Sequence, residues 1–337
     1  MIKSIIVTGG AGYIGSHTVV ELASQGFEPI IVDNFSNSEK SVVRRLEQIT
    51  GKNITLFEGD CTDHTFMTKV FEQTNPSGVI HFAAYKAVGE SVDKPLAYYH
   101  NNVVSLLVLL QVMKDFSCNQ LVFSSSCTVY GTPATLPVTE SSPTQKAISP
   151  YGNTKQMAED IIRDQVVSQS GLNAIALRYF NPIGAHPSSL IGELPLGVPS
   201  NLAPFVTQTA AGLRDQLTVF GNDYNTPDGS NIRDYIHVVD LAKAHVKTLT
   251  YLNGKTNFYD FINVGTGKGT SVLEIIETFE KVTGQKLNYK IGARRPGDVE
   301  QIYASVDKSK KILNWETKLS VEDALKDAWN WQKTLKN

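Results

Sequence analysis

Tyr151-Gly152-Asn153-Thr154-Lys155 sets a phenol and an amine four residues apart. In a helix, positions i and i+4 share a face, so the lysine charge stands beside the tyrosine hydroxyl. A tyrosine ordinarily ionises near about 10, and a base working near neutrality needs its phenolate favoured by roughly 4 kcal/mol. A neighbouring ammonium, with a second cation in a low-dielectric cleft, acts in that direction. One βα unit earlier, Leu121-Val122-Phe123 runs into Ser124-Ser125-Ser126. A hydroxyl there, Ser126 above all, can relay or orient a proton. Alone, the Tyr/Lys pair is commonplace on ordinary helices and a serine run is commonplace in turns. Together they describe a proton-transfer centre.

A second group of residues is built for phosphate. Thr8-Gly9-Gly10-Ala11-Gly12-Tyr13-Ile14-Gly15 joins the apolar run Ile5-Ile6-Val7 to a helical pattern over residues 13–24, and contains G-x-G-x-x-G at Gly10, Gly12 and Gly15. Glycines there permit a tight turn and let the backbone approach a pyrophosphate at a helix N-terminus. Asp33 ends the next apolar run, near the offset of about 20 residues expected for a carboxylate that accepts from an adenine ribose. A carboxylate repels a 2′-phosphate, so the pattern favours NAD over NADP.

These residues need a scaffold. Compact apolar runs at Ile5-Ile6-Val7, Ile30-Ile31-Val32, Ile54-Thr55-Leu56-Phe57, Val79-Ile80-His81-Phe82, Leu121-Val122-Phe123 and Ala174-Ile175-Ala176-Leu177 lack strict alternation, as strands covered on both faces do. Helical patterns fall between them, at 95–114 and 152–170 among others. The rhythm predicts a Rossmann-type, doubly wound parallel sheet. Ligands of such sheets bind beyond the carboxyl ends of the strands, where Asp33, Asp60, Ala83, Ser126 and Phe180 stand. Beyond Asn181 the pattern changes. Residues 182–204 are rich in Pro and Gly and are read as loop. Helical patterns follow at 239–252, 271–283 and 320–334. The expected division is residues 1–180 as a NAD-binding domain and 181–337 as a smaller α/β substrate domain, with elements possible that return to the main sheet.

The chain has 337 residues, 41% hydrophobic and 19% charged, a globular balance long enough to bury a core without staples. A net charge of −2 with no Lys/Arg block argues against nucleic acid as a partner. Cys61, Cys118 and Cys127 are odd in number and form no C-x-x-C pair, which is read as a reduced, cytoplasmic inventory. The seven histidines form no ligand spacing, so no metal is expected. The first apolar run is too short for a signal peptide. The longest, 103–113, is broken by Ser105 and Gln111 and falls short of the roughly 20 residues that span a bilayer, so no membrane partner is expected.

The glycine loop, Asp33, the Ser126 strand end and the Tyr151/Lys155 pair resemble the extended short-chain dehydrogenase/reductase family. More specific stretches resemble the UDP-glucose 4-epimerase family within it: residues 81–91 (HFAAYKAVGES), 124–131 (SSSCTVYG), 178–186 (RYFNPIGAH), 233–237 (RDYIH) and Arg295-Pro296-Gly297-Asp298. The resemblance covers nearly the whole chain. It implies an NAD-dependent isomerase of galactose metabolism that interconverts UDP-galactose and UDP-glucose through a transient 4-keto sugar. It implies cofactor contacts at Gly9, Gly12, Tyr13, Ile14, Gly15, Asp33, Asn34, Asn37, Asp60, Cys61, Phe82, Ala83, Lys86, Asn101, Ser126, Tyr151, Lys155 and Phe180. Contacts to the UDP-sugar are implied at Lys86, Ser126, Tyr151, Tyr179, Asn181, Asn201, Phe220, Arg233, Arg295, Asp298 and Ile302, with Ser126, Tyr151 and Lys155 catalytic. Guanidinium groups match phosphate bidentately, so Arg233 and Arg295 suit a diphosphate clamp.

The resemblance also implies a homodimer through the helices at 95–114 and 152–170. Leu106, Leu107, Leu109 and Leu110 surround much of the first, and burial against the sheet accounts for about half of such positions. Two residues depart from the family pattern. Ala84 replaces a frequent Gly, and Ile302 is intermediate where the family has either Tyr or a small residue facing the sugar C2 substituent. UDP-GlcNAc/UDP-GalNAc or another nucleotide sugar therefore stays open as an alternative substrate. A 4,6-dehydratase is disfavoured, because that family places Asp-Glu where Cys127-Thr128 stand.

Overall fold

The computed structural model describes residues 3–295 and 298–335. Seven strands form the main sheet. Six come from the apolar runs: β1 (Ser4–Thr8), β2 (Glu28–Asp33), β3 (Thr55–Glu58), β4 (Gly78–His81), β5 (Gln120–Ser124) and β6 (Asn173–Tyr179). Their order across the sheet is β6, β5, β4, β1, β2, β3, and all five pairings are parallel. Ile6 lies opposite Ile30 on one side and Val79 on the other. Ile5, Ile6 and Val7 are wholly buried, which is why β1 carries no alternation. The order reverses between β1 and β4, the switch point at which such sheets bind ligands. Among the described residues, this is the Rossmann-type doubly wound sheet that the apolar runs predict.

The seventh strand, Phe258–Val264, lies beyond β6. The chain accordingly forms two compact units that a single cut at residue 180 does not separate. One holds the residues up to Gly131, Pro143–Tyr179 and Ala242–Ile262; the other holds Thr132–Ser142, Phe180–Leu241 and the residues from Asn263 on. The edge strand is an element from beyond residue 180 that returns to the main sheet, as the expected division allowed, and Phe258 N–H donates to the Leu172 carbonyl at 3.2 Å.

Helices cover the sheet of the first unit. Tyr13–Ser24 follows β1, His64–Thr74 follows β3 and Pro150–Val167 follows β5. The segment read as one helix at 95–114 is Pro95–Tyr99, a π-helical turn at His100–Val104, and Ser105–Asp115. This 21-residue run, one residue longer than the helical pattern at 95–114, is apolar enough to cross a bilayer by length and composition alone. Leu106, Leu109, Leu110, Val112 and Met113 instead pack with Val79, Leu121 and Phe71 in the sheet's core. Leu107, on the other face, is exposed.

The second unit has its own core, in which Ile183, Val206, Val219, Tyr235, Ile276, Leu325 and Trp329 surround Phe279. The Phe279 and Trp329 rings meet edge to face at 5.8 Å. Short strands frame it. Asn181–Ile183, inside the segment expected to begin as loop, pairs in parallel with Tyr235–His237. Ile232–Arg233 pairs with Gln301–Ile302, and Leu217–Phe220 with Tyr289–Gly292. Helices Val272–Thr283 and Val321–Thr334 begin at Ser271 and Ser320, each with reciprocal capping by the residue three positions on. Phe279→Ala should destabilise the protein by about 3–5 kcal/mol, measured by denaturant unfolding.

Candidate active site

In the first unit the phosphate loop is shaped by exclusion. Gly9 adopts φ +68°, and a Cβ there would stand 2.9 Å from the Ala83 amide nitrogen. A Cβ on Gly15 would stand 2.2 Å from the Gly9 carbonyl oxygen. These contacts bring the β1 turn against the end of β4. Gly12 is the N-cap of the helix that opens with Tyr13 and Ile14, with no side chain capping it and no acid in its first turn. Those amide groups and the helix dipole form a cradle for anionic phosphate.

Asp33 is buried at the end of β2. Its Oδ2 accepts from Ala11 N–H at 3.0 Å, and its Oδ1 from Phe35 N–H and the Ser38 hydroxyl, both at 2.9 Å. Beside it, Asp60 accepts from Thr62 and, at 3.0 Å, from the Asn34 amide. Burial raises the Asp60 carboxyl, but the bonds from Thr62 and Asn34 outweigh it and hold the group below its ordinary value. Asn37 is exposed in the following turn. Cys61 packs into the core, where burial, with Asp60 and Asp33 nearby, pushes its thiol up. A dinucleotide with its pyrophosphate at Gly9–Gly15 and its ribose near Asp33 fits this end of the sheet.

Phe82 is half-buried, with its ring 4.7 Å from that of His245. Lys86 is exposed in the loop beyond it. The π turn carries Asn101 and Asn102. Asn102 accepts from Tyr85 N–H at 2.8 Å and donates to the Tyr85 carbonyl and to Thr154 Oγ1. Asn101 donates to Asn102. The extra residue of a π turn, often found at functional sites, thus ties the loop after β4 to the Tyr151 helix.

The three serines that end β5 serve different partners. The Ser124 carbonyl accepts from Lys155 Nζ at 2.6 Å, and its hydroxyl lies 2.6 Å from the Tyr179 hydroxyl. The Ser125 hydroxyl donates to Glu159 at 2.5 Å. Ser126 is extended, caps Thr128 N–H at 3.2 Å and hydrogen-bonds Tyr151. The helix bearing Tyr151 starts where it does because Ser149 caps Gly152 N–H and Pro150 occupies its first turn. Lys155 Nζ lies 5.9 Å from the Tyr151 ring centroid and 4.9 Å from that of Phe123.

Burial and the neighbouring Tyr179 push the Tyr151 phenol up, and the Ser126 hydrogen bond draws it down. Burial draws the Lys155 amine down to about 8, against the opposing charge of Glu159. His81, hydrogen-bonded to Thr8 at 2.7 Å, is drawn down to about 3 by burial and then by Lys155, so its ring is neutral at pH 7. Tyr179 is raised to about 12 by burial.

In the second unit, charged residues gather on one carboxylate. Asp298 Oδ1 accepts from Arg295 at 2.8 Å and lies 3.8 Å from Arg233. Pro296 and Gly297, between Arg295 and Asp298, lie outside the described residues. The Arg295 guanidinium stands 5.6 Å from the ring of Phe220, which is exposed. Ile302 is buried and pairs in register with Arg233. Asn181 N–H donates to the Asp234 carbonyl, and the Asn201 amide donates to Glu193 at 2.6 Å. Phe180 is buried and falls in this unit, whereas the other residues expected at the cofactor fall in the first. Two guanidiniums held by one acid suit a diphosphate, which offers them more oxygens than Asp298 does.

Sequence reasoning missed several supports. Asp234, wholly buried next to Arg233, accepts from Thr266, Gly267 and Ala304. Glu159 and Arg178 form a buried ion pair. The available signals were an acid one turn beyond Lys155 and the acid following Arg233. Among the described residues, no cluster of His, Cys, Asp or Glu is arranged to hold a metal ion.

The parallel sheet, glycine loop and Ser/Tyr/Lys centre define a member of the extended short-chain dehydrogenase/reductase class, and a family model described as GDP-mannose 4,6 dehydratase matches residues 6–328. The chain is 50% identical to UDP-glucose 4-epimerase 2 of Arabidopsis thaliana over 98% of its own length and 95% of that protein's. It is 49% identical to UDP-glucose 4-epimerase of Bacillus subtilis, over 99% and 98%. Its fold matches the crystal structure of UDP-glucose 4-epimerase from Bifidobacterium longum in complex with NAD+ and UDP, with TM-score 0.96, 47% identity and 99% of each chain covered. The chain belongs to the UDP-glucose 4-epimerase family.

Proposed function

We propose that the protein interconverts UDP-galactose and UDP-glucose, with NAD retained through each turnover. The observation that carries this reading is the end of β5, where Ser126 hydrogen-bonds Tyr151 and Lys155 is held one helical turn on. In this reading Gly9–Gly15 hold the pyrophosphate, Asp33, Asn34, Asn37, Asp60 and Cys61 surround the adenosine end, and Phe82, Ala83, Lys86, Asn101, Lys155 and Phe180 hold the nicotinamide end. When bound, NAD would supply the two-electron acceptor for C4 of the sugar and a second positive charge beside that of Lys155.

Tyr151 takes the proton of the sugar 4-hydroxyl, relayed by Ser126, and returns it after the transient 4-keto sugar has turned over. Lys155 stabilises the phenolate. Arg233, Arg295 and Asp298 hold the diphosphate, with Asn181, Asn201 and Phe220 on the rest of UDP and Lys86 and Tyr179 near the sugar. A sugar that must present both faces needs loose contacts, so recognition is concentrated on the nucleotide. The first unit is then the NAD-binding domain and the second the substrate domain.

A homodimer fits the exposed Val88, Val92, Leu96 and Met157, which lie on neighbouring helices: Val88–Asp93 and Pro95–Tyr99 both pack on Pro150–Val167; Leu107 is exposed on Ser105–Asp115, which continues Pro95–Tyr99 beyond the π turn. The three free cysteines are all buried, which suits a reducing cytoplasm. No nucleic acid or membrane partner enters this reading.

Purified protein incubated with UDP-galactose and no added reductant should form UDP-glucose. Tyr151→Phe should lower kcat by about 10²–10⁴-fold while NAD stays bound, and near-normal turnover would sink the assignment of the base. By the family resemblance Ile302 meets the C2 substituent, so Ile302→Ala should raise kcat/KM for UDP-GalNAc relative to UDP-galactose; an unchanged ratio would remove Ile302 from that role. Sedimentation at micromolar concentration should show the mass of two chains, and a lone monomer would count against the dimer.

A further inference from the structure

Behind the reacting pair lies a polar layer that the proton path does not use. The helix Pro150–Val167 carries Tyr151, Lys155 and Glu159 at successive i, i+4 positions, on one face. Glu159 is 6% exposed, and both its oxygens are engaged. Oε1 accepts from the Ser125 hydroxyl at 2.5 Å and from Arg178 Nε at 2.9 Å; Oε2 accepts from Arg178 Nη2 at 2.5 Å. Arg178, 3% exposed, has its guanidinium 3.7 Å from the Phe261 ring centroid and 4.8 Å from that of Tyr130. Stripping water from two full charges is costly, and apolar residues of similar volume often hold a helix as well or better. Stability alone therefore does not explain the pair.

Its placement does. Ser125 lies between Ser124, whose carbonyl receives Lys155, and Ser126, which bonds Tyr151. We infer that Glu159 is a positioning residue for the epimerisation: with Ser125 and Arg178 it locks the helix in register with the serine end of β5 and sets a fixed negative charge one turn behind Lys155. The inference rests on the epimerase reading above.

The charge matters because burial draws the Lys155 amine down to about 8, and Glu159 opposes this. The groups around the amine come from every neighbouring element. Tyr151 and Glu159 share its helix, and the Ser124 carbonyl ends β5. His81, from β4, is neutral. From β6, Arg178 is paired with Glu159 and Tyr179 is held protonated. Removing the carboxylate while Arg178 stays charged lowers the amine further. Lys155 then loses its proton at a lower pH, and support for the Tyr151 phenolate goes with it.

The test is kcat and KM for UDP-galactose against pH, on NAD-loaded enzyme, for wild type, E159Q, E159D and S125A. E159Q should lose about tenfold to a hundredfold in kcat, with its alkaline limb moved to lower pH and KM within about twofold of wild type. E159D keeps the charge, so its limb should stay in place even where kcat falls. S125A removes one hydroxyl and should lower kcat several-fold, keeping KM and the limb; it serves also where E159Q does not fold. Wild-type kcat in S125A, a wild-type profile in folded E159Q, or equal limb shifts in E159D and E159Q would each overturn the inference with the epimerase reading intact. A wild-type protein that forms no UDP-glucose would overturn both.

Discussion

A buried ammonium must have somewhere to put its protons. Lys155 answers this with a 2.6 Å hydrogen bond to the Ser124 carbonyl, a backbone acceptor available because β5 ends there. Much of the first unit follows from that bond. It fixes the start of the Pro150–Val167 helix over the sheet, which puts Tyr151 at Ser126 and Glu159 at Ser125. It keeps a positive charge inside the fold, and that charge helps hold His81 neutral. The parallel sheet makes the arrangement possible, because its strands deliver their carboxyl ends to one side.

The second unit solves a related problem with the opposite sign. Asp234 is a carboxylate without solvent, and burial raises its carboxyl despite the donors of Thr266, Gly267 and Ala304. Those donors come from two separate segments, so one side chain gathers them around the strand that carries Arg233. Gly265 must be glycine in this packing, since a Cβ there would stand 2.4 Å from the Asp234 oxygen. The guanidinium of Arg233 is thus borne on a frame that is internally fixed, which suits electrostatic recognition by preorganised groups.

The sequence made the parallel strands legible because burial on both faces leaves a continuous apolar run, as in Ile30-Ile31-Val32. It made the helix at Tyr13–Ser24 legible through the glycines before it. The edge strand Phe258–Val264 was obscured because four of its residues, Phe258 to Phe261, are only half-buried; the run Phe-Tyr-Asp-Phe reads as neither strand nor helix. Two-residue strands such as Ile232–Arg233 have no local signal, since partners far along the chain define them. Ser126, Tyr151 and Lys155 stood out by type and spacing. Glu159 and Arg178 did not, because a lone acid and a lone base acquire meaning only when folding buries them together. The surroundings of the Tyr151 phenol were half legible for the same reason: proximity to Lys155 could be read from the spacing, but the depth of burial could not.

The edge strand bears on how the protein is made. Residues 258–262 complete a sheet whose other strands end at Tyr179. During synthesis the β6 edge therefore leaves the ribosome well before its neighbour exists. An unpaired strand edge is a template for wrong pairing, and at about 5–20 residues per second the intervening chain takes seconds to emerge. The first unit cannot close from the N-terminal half alone. The nascent chain must carry an open edge through the synthesis of Phe180–Leu241, a large part of the second unit, which makes this interval the one in which a chaperone or a faulty intermolecular pairing has its opportunity.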